Sequence, residues 1–245
     1  MNPTNNTILV TGGASGIGLA LASRWLAAGN TVIVCGRRAD KLREAQAQYP
    51  GLHTHVADVA TAADRTALAA WATREFPALN VLVNNAGVQN YYSLTDETIA
   101  WETRRQELAI NLDAPIHLST LLLPHLRRQA GAAIVNVTSG LAFAPFVKVP
   151  VYCATKAALH SFTLSLRVQA APLGVRVLEI IPPAVNTDLG APGLHTFGEP
   201  VDAFADAVVA RLAAGEEEVG YGSSEQWRKA SQEELAAYFK QMNGL

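Results

Sequence analysis

Along the chain, short runs of Val, Ile and Leu bounded by polar residues alternate with longer stretches whose apolar positions recur at the spacing i, i+3, i+4. The first pattern marks a buried strand and the second an amphipathic helix. Strands are predicted over 7–11, 31–35, 52–57, 80–84, 133–138 and 175–181, with an edge strand over 218–221. Helices are predicted over 17–28, 40–48, 62–75, 96–111, 112–129, 151–171 and 201–214. A terminal helix over 231–242 is opened by a capping box of Ser231 and Glu234.

Strands separated by helical crossovers pair in parallel, and such crossovers are almost always right-handed, so helices must cover both faces of one sheet. The expected fold class is therefore α/β, a single-domain doubly wound parallel sheet over residues 1–245 with no linker or internal repeat dividing it. The segment 182–200, dense in Pro and Gly, is expected to be an ordered insertion or lid. The acidic run 216–218 is expected to be a solvated turn.

Composition narrows what such a fold does. The 245 residues are 49% hydrophobic and 16% charged, with 19 basic against 21 acidic side chains and a net charge of −2. These values fit a soluble globular protein and argue against a disordered chain or a broad basic surface for nucleic acid. Residues 129–147 carry no formal charge, but Asn136, Thr138 and Ser139 interrupt them, so a buried strand and loop are expected there and no membrane segment. Residues 1–7 have neither the basic nor the apolar part of a signal peptide, and the two cysteines, Cys35 and Cys153, match no disulfide or metal spacing. A reducing cytoplasm is the expected location. The six histidines are scattered, so no metal site is expected, and Cys153 is expected to be a small core-facing side chain.

Directly after the first strand stands Thr11-Gly12-Gly13-Ala14-Ser15-Gly16-Ile17-Gly18, with the next helix beginning inside it. A diphosphate sits on a helix N-terminus only where the backbone comes close. Side chains at Gly12 and Gly16 would obstruct it, while Gly18 lets the helix lie against the sheet. Ser15 and Ile17 supply further loop atoms near the phosphates. The second strand ends in Gly36-Arg37-Arg38, where dinucleotide folds read the adenosine ribose. A carboxylate there would accept from a 2′-hydroxyl and repel a 2′-phosphate; two guanidinium groups favour the phosphate, and so NADP over NAD. A unit charge pair at about 4 Å is worth roughly 4 kcal/mol at an effective dielectric of 20, and even a third of that is about tenfold in affinity. The same arginines would also serve simply to solvate the start of the next helix.

This loop, then Asn84-Asn85-Ala86-Gly87, then Tyr152-Cys153-Ala154-Thr155-Lys156 make the chain resemble the short-chain dehydrogenase/reductase family over about residues 7–187. The resemblance implies a Rossmann-type sheet, a nicotinamide cofactor, here NADP(H), and hydride transfer to or from a carbonyl or alcohol carbon. It supplies a catalytic set of Asn111, Ser139, Tyr152 and Lys156. The residue types suit that chemistry. A phenol with pKa near ~10 exchanges its proton poorly at neutral pH unless a cation stabilises the phenolate, and Lys156 lies one helical turn beyond Tyr152. Ser139, at the end of a strand, can donate a hydrogen bond to the substrate oxygen.

By the same resemblance, Asn111 supports a water that relays protons through Lys156, and Asp58 approaches the adenine. Asn85, Ala86 and Gly87 line the adenosine ribose and diphosphate, while Val185 and Thr187 belong to the segment near the nicotinamide. Pro182-Pro183 stands where the family usually has Pro-Gly, which alters the backbone there. Leu141, Phe143, Pro145 and Phe146, with Leu189, Leu194 and Phe197 of the lid, are expected to border a small hydrophobic substrate, or simply to pack the lid. The family also implies a homodimer or homotetramer built on the helices over 111–129 and 152–171. An NADP-dependent carbonyl reductase, reversible as an alcohol dehydrogenase, is the expected function. An NAD-dependent alcohol dehydrogenase and a nicotinamide-sensing regulatory protein without turnover are the alternatives.

Overall fold

Val and Ile are stiff at χ1 and crowd the preceding turn of a helix, so segments rich in them become strands where both faces are covered. In a computed structural model describing residues 1–245, the strands are β1 (Thr7–Thr11), β2 (Thr31–Gly36), β3 (His53–Val56), β4 (Val81–Asn84), β5 (Ala133–Val137), β6 (Arg176–Ile181) and β7 (Glu218–Gly220). They form one sheet in the order β3-β2-β1-β4-β5-β6-β7, with every pair parallel. Val10 lies opposite Val34 on one side and Val83 on the other, and Val83 lies opposite Val135.

The helices are α1 (Gly16–Ala27), α2 (Ala39–Gln48), α3 (Ala62–Glu75), α4 (Trp101–Leu108), α5 (Ala114–Leu126), α6 (Pro150–Ala170), α7 (Val201–Ala213), α8 (Ser223–Trp227) and α9 (Gln232–Asn243). Alternate strand residues feed opposite faces. Ile8, Val10, Val34 and Val83 pack with Leu21 and Trp25 of α1 and Phe204 and Val208 of α7. Leu9, Ile33, Leu82 and Ile134 pack with Leu68 of α3, Leu118 of α5 and Leu166 of α6. Each such buried side chain contributes on the order of 2 kcal/mol. The strand order reverses between β1 and β4, so the loops that follow them diverge and open a crevice at the strands' C-terminal ends.

Three expectations need correction. The helix expected over 96–111 starts only at Trp101, because the Asp96 carboxylate accepts from the Thr98 amide at 2.9 Å and hydroxyl at 2.6 Å, a local turn that competes with helix. No break follows residue 111; α4 runs through a π turn, Ala109–Asp113, into α5. The acidic run is not merely solvated: Glu216 pairs with Arg211 at 2.6 Å, Glu217 with Arg176 at 3.7 Å and Glu218 with Arg167 at 2.6 Å. The short helix α8 was not expected. The capping box of α9 is formed as expected, with Ser231 accepting from the Glu234 amide at 3.2 Å and Glu234 from the Ser231 amide at 2.7 Å.

A buried polar chain joins the sheet to its helices. Asn84 donates to Asn136 Oδ1 at 2.8 Å and to Ser119 Oγ at 3.2 Å, and Asn136 donates to Thr163 Oγ1 at 2.9 Å. Truncating Asn136 to Ala leaves a void and strands two partners. The expected cost is about 2–3 kcal/mol, read as a lower urea midpoint with an unchanged m-value.

Candidate active site

Main-chain segments at the crevice are pinned by side chains. Thr11 Oγ1 accepts from the amides of Asn85 and Ala86, both at 3.0 Å, and Asn85 Nδ2 donates back to Thr11 O at 2.9 Å and Gly12 O at 3.2 Å. Gly12 has φ +64°, and a Cβ there would stand 2.8 Å from Ala86 Cα, so no other residue fits without moving the backbone. Gly18 is crowded by the Asn85 side chain and Gly12 O, not by the sheet; Gly13 is the glycine that meets β2, at Val34.

Ser15 caps α1 without a side-chain hydrogen bond, and no acidic residue stands in the first turn. The amides of Gly16, Ile17 and Gly18 have no protein acceptor. Open N–H groups and the positive end of the helix dipole make this a place for an anion, so the loop fits a dinucleotide's diphosphate. Thr187 faces Gly16 across the crevice, 3.5 Å from where a Cβ would stand. Arg37 and Arg38 are exposed at the end of β2, and Arg38 Nη2 reaches Ser15 Oγ at 3.4 Å, on the rim of the loop. Asp58 is half-buried beyond β3, with one carboxylate oxygen accepting from the Ala60 amide at 3.0 Å.

On α6, Tyr152 and Lys156 share one face, with Lys156 Nζ 5.6 Å from the Tyr152 ring centroid. Both are buried, at 6% and 4% exposure. Lys156 Nζ donates to Val137 O at 2.8 Å, at the end of β5, and its other two hydrogens have no protein acceptor, as a site for ribose hydroxyls requires. Burial lowers its pKa from 10.5 to about 8. Burial pushes the Tyr152 phenol above its ordinary range, and the nearby Ser139 hydroxyl opposes that rise. Ser139 Oγ accepts from the Leu141 amide at 3.1 Å, which leaves its own hydrogen free to donate.

Asn111 lies within the π turn, and its side chain is fully engaged. Oδ1 accepts from the Val88 amide at 2.9 Å, and Nδ2 donates to Val88 O at 2.8 Å and Thr155 Oγ1 at 3.2 Å. Thr155 in turn donates to Tyr152 O at 2.7 Å, coupling Asn111 to α6. Pro115, one turn on, has no N–H to offer the Asn111 carbonyl, and its ring would crowd that carbonyl in a regular helix. A widened turn relieves the conflict. A Cβ on Gly87 would lie 3.6 Å from Asn111 Oδ1 and 3.7 Å from Lys156 Nζ, so these three residues gather at one point.

A family model described as short chain dehydrogenase matches residues 6–195. The chain belongs to that family. It is 46% identical over 248 aligned positions to a Bacillus subtilis (strain 168) protein named Uncharacterized oxidoreductase DltE, covering 99% of this chain and 98% of that one. It is 32% identical to L-fucose dehydrogenase of Bos taurus, covering 74% of this chain and 67% of that one. Among solved structures, it superposes on a short-chain dehydrogenase from Streptomyces avermitilis with a TM-score of 0.83 at 26% identity, covering 96% of this chain and 95% of that one. A Burkholderia cenocepacia short chain dehydrogenase in complex with NADP gives 0.84 at 25% identity, covering 98% and 99%. The sheet is Rossmann-like and the chain is an oxidoreductase of this family.

In this short-chain dehydrogenase, the residues expected around a substrate divide. Leu141 and Phe146 pack against Val149, Tyr152 and Cys153 beside the site. Phe143 turns instead to His160, with ring centroids 4.7 Å apart, and Phe197 is 76% exposed on the outside of the lid. The lid is closed at its base by Val185, buried and bridged to Glu199, with the Asn186 amide donating to Glu199 O at 2.8 Å. Two groups escaped the sequence. Trp227 of α8 packs against Gly140, and Asn243 of α9 donates to Pro145 O at 3.0 Å while accepting from the Val147 amide at 2.9 Å. Their aromatic and amide character carried no motif; only the return of the C-terminus to the site reveals them. Cys153 is buried as expected, and burial raises its thiol pKa.

Lys156 also dictates a pH effect. Between its folded value of about 8 and its unfolded value of 10.5 the unfolded chain binds more protons, so this group favours folding increasingly as pH rises through that window. The stability of Lys156→Met relative to the parent is therefore expected to fall by about 3 kcal/mol between pH 7 and pH 11. Chemical denaturation of both proteins across that range checks it; a pH-independent difference refutes the burial of the charge.

Proposed function

We propose that this chain is an NADP(H)-dependent oxidoreductase, carbonyl reductase-like, interconverting a carbonyl and a secondary alcohol on a small hydrophobic substrate. One observation carries the proposal: a buried phenol and ammonium share a face of α6, with Ser139 near the phenol. The coenzyme, when bound, supplies or takes up the hydride. Amides of Gly16, Ile17 and Gly18 hold its diphosphate, Lys156 its ribose, and Asn85, Ala86, Gly87, Asp58, Val185 and Thr187 its flanks. Ser139 donates to the substrate oxygen and fixes it beside Tyr152. As negative charge develops on that oxygen, the Tyr152 hydroxyl hydrogen passes to it, and the Lys156 ammonium stabilises the phenolate left behind. The Asn111 carbonyl, to which Pro115 offers no N–H, holds a water through which Lys156 restores the proton. In the oxidising direction the same groups run in reverse.

Preference for NADP(H) rests on Arg38 at the loop rim, with Arg37 beside it, and on the absence of a carboxylate at the end of β2. The Burkholderia relative in complex with NADP is consistent with it. We read residues 1–245 as one functional unit, since the C-terminal helices wall the site. Leu164 and Val168, exposed on α6 at 40% and 76%, support a homodimer or homotetramer. No helix is long and apolar enough to cross a membrane, and two free buried thiols suit a reducing cytoplasm.

Turnover of a ketone panel with NADPH tests the proposal. Tyr152→Phe is expected to lose at least about 100-fold in kcat while still binding NADPH. Full activity in that variant, or no turnover by the parent, rejects the assignment. Arg38→Ala is expected to weaken NADPH about tenfold and leave NADH unchanged; equal parental affinities for the two coenzymes defeat the phosphate argument.

A further inference from the structure

Ser139 stands in a short turn between β5 and α6, and both ends of that turn meet an ionisable pair, one partner buried and the other partly exposed, that the chemistry above does not use. At the near end, Thr138 Oγ1 donates to Glu179 Oε1 at 2.6 Å. Glu179, on β6, has no exposed surface, and His160 Nδ1 lies 3.0 Å from each of its oxygens. At the far end, the Phe143 ring packs on the His160 ring at 4.7 Å. His160 follows Lys156 by one helical turn, so Tyr152, Lys156 and His160 form one stripe of α6.

We infer that His160 and Glu179 are positioning residues that clamp the Ser139 turn from both ends. The inference rests on the role proposed above for Ser139. Backbone bonds from Thr138 N to Ile180 O and from Gly140 N to Pro182 O, both 2.9 Å, already tie the start of the turn to β6. They do not reach the stretch from Leu141 to Ala144, whose amides bond back only to Ser139 and Gly140, and there Phe143 meets His160. A carboxylate without solvent costs several kcal/mol unless it is hydrogen-bonded, and an apolar pair of similar volume would join α6 to β6 at least as stably. Stability alone does not account for the pair; its two contacts straddling Ser139 do. Imidazolium donates more strongly, but neutral imidazole with hydrogen on Nδ1 also donates, so the contact is made in either state of His160.

His160→Phe keeps a ring against Phe143 and removes the donor, while His160→Asn restores an N–H near the position of Nδ1. In His160→Phe, kcat is expected to fall by about 10- to 100-fold, with KM for NADPH within about twofold of the parent. Amide exchange of residues 138–144 is expected to quicken by about tenfold. His160→Asn, which restores the donor but gives up the ring on Phe143, is expected to recover kcat only in part, with exchange still quickened at residues 141–144. Unchanged kcat and exchange in His160→Phe, or exchange at 141–144 as slow in His160→Asn as in the parent, overturns the clamp. Should His160→Phe fail to fold, Thr138→Val against Thr138→Ser decides: loss in Val with retention in Ser supports the clamp, and equal values refute it. A parent without turnover on any carbonyl refutes the proposed chemistry instead, and the exchange comparison then decides the clamp alone.

Discussion

An ammonium buried beside a phenol is the constraint around which this molecule is arranged. Lys156 can give up water only where some fixed acceptor replaces it, and the acceptor is Val137 O, at the last residue of β5. In a parallel sheet, carbonyls free of the ladder are found where strands end, so α6 must cross the C-terminal edge of the sheet to bring Lys156 there. The reversal of strand order between β1 and β4 opens the crevice at that same edge. Burial then works on both partners toward neutrality, lowering the lysine and raising the tyrosine. The phenol therefore retains its hydrogen until charge appears next to it, as the proposed acid requires.

Such a site needs stiff surroundings, and the chain builds them from uncharged side chains. Asn85 and Thr11 lock the loops after β1 and β4 to one another, and Asn111 locks the latter to the helix through Val88. Thr155 passes that restraint on to the backbone of Tyr152. These bonds are neutral and at least partly buried, so neither salt nor pH near neutrality loosens them. Electrostatic work is thereby concentrated on the few groups that the proposed reaction uses.

What the sequence reveals follows from how local each cause is. Strands of Val and Ile and the loop of glycines are set by sterics within a few residues, and both lie where the periodicity places them. The Tyr152–Lys156 juxtaposition is likewise local, being one helical turn. Thr11, Thr155 and the chain of Asn84, Asn136 and Thr163 are different: a polar residue inside an apolar run looks the same whether it faces solvent or another strand. Only the neighbour relations β1–β4–β5, and the packing of α6 against that sheet and the π turn, give those side chains partners. The π turn is intermediate. Pro115 stands one turn after Asn111 in the sequence, and a proline there forbids the hydrogen bond that a regular helix would make. Phe143 was assigned to the substrate side because it follows Ser139, but the tight turn after Ser139 rotates it back onto α6.

Pro182-Pro183, in place of the family's Pro-Gly, has a structural consequence of the same kind. Neither proline can donate a hydrogen bond, so the segment is held through carbonyls: Pro182 O accepts from the Gly140 amide at 2.9 Å, and Ile181 O accepts from the Ser224 hydroxyl. Consecutive prolines fix φ and restrict the residue before them, so the stretch joining β6 to the lid has little conformational freedom left to lose. Beyond it, the lid base is bridged at Val185 and Glu199. Gly190 and Gly193 turn the chain with left-handed φ of +82° and +81°, and Gly190 sits against Gln89 O, in the loop that continues from Gly87. The backbone is thus most constrained in the stretch that packs next to Ser139.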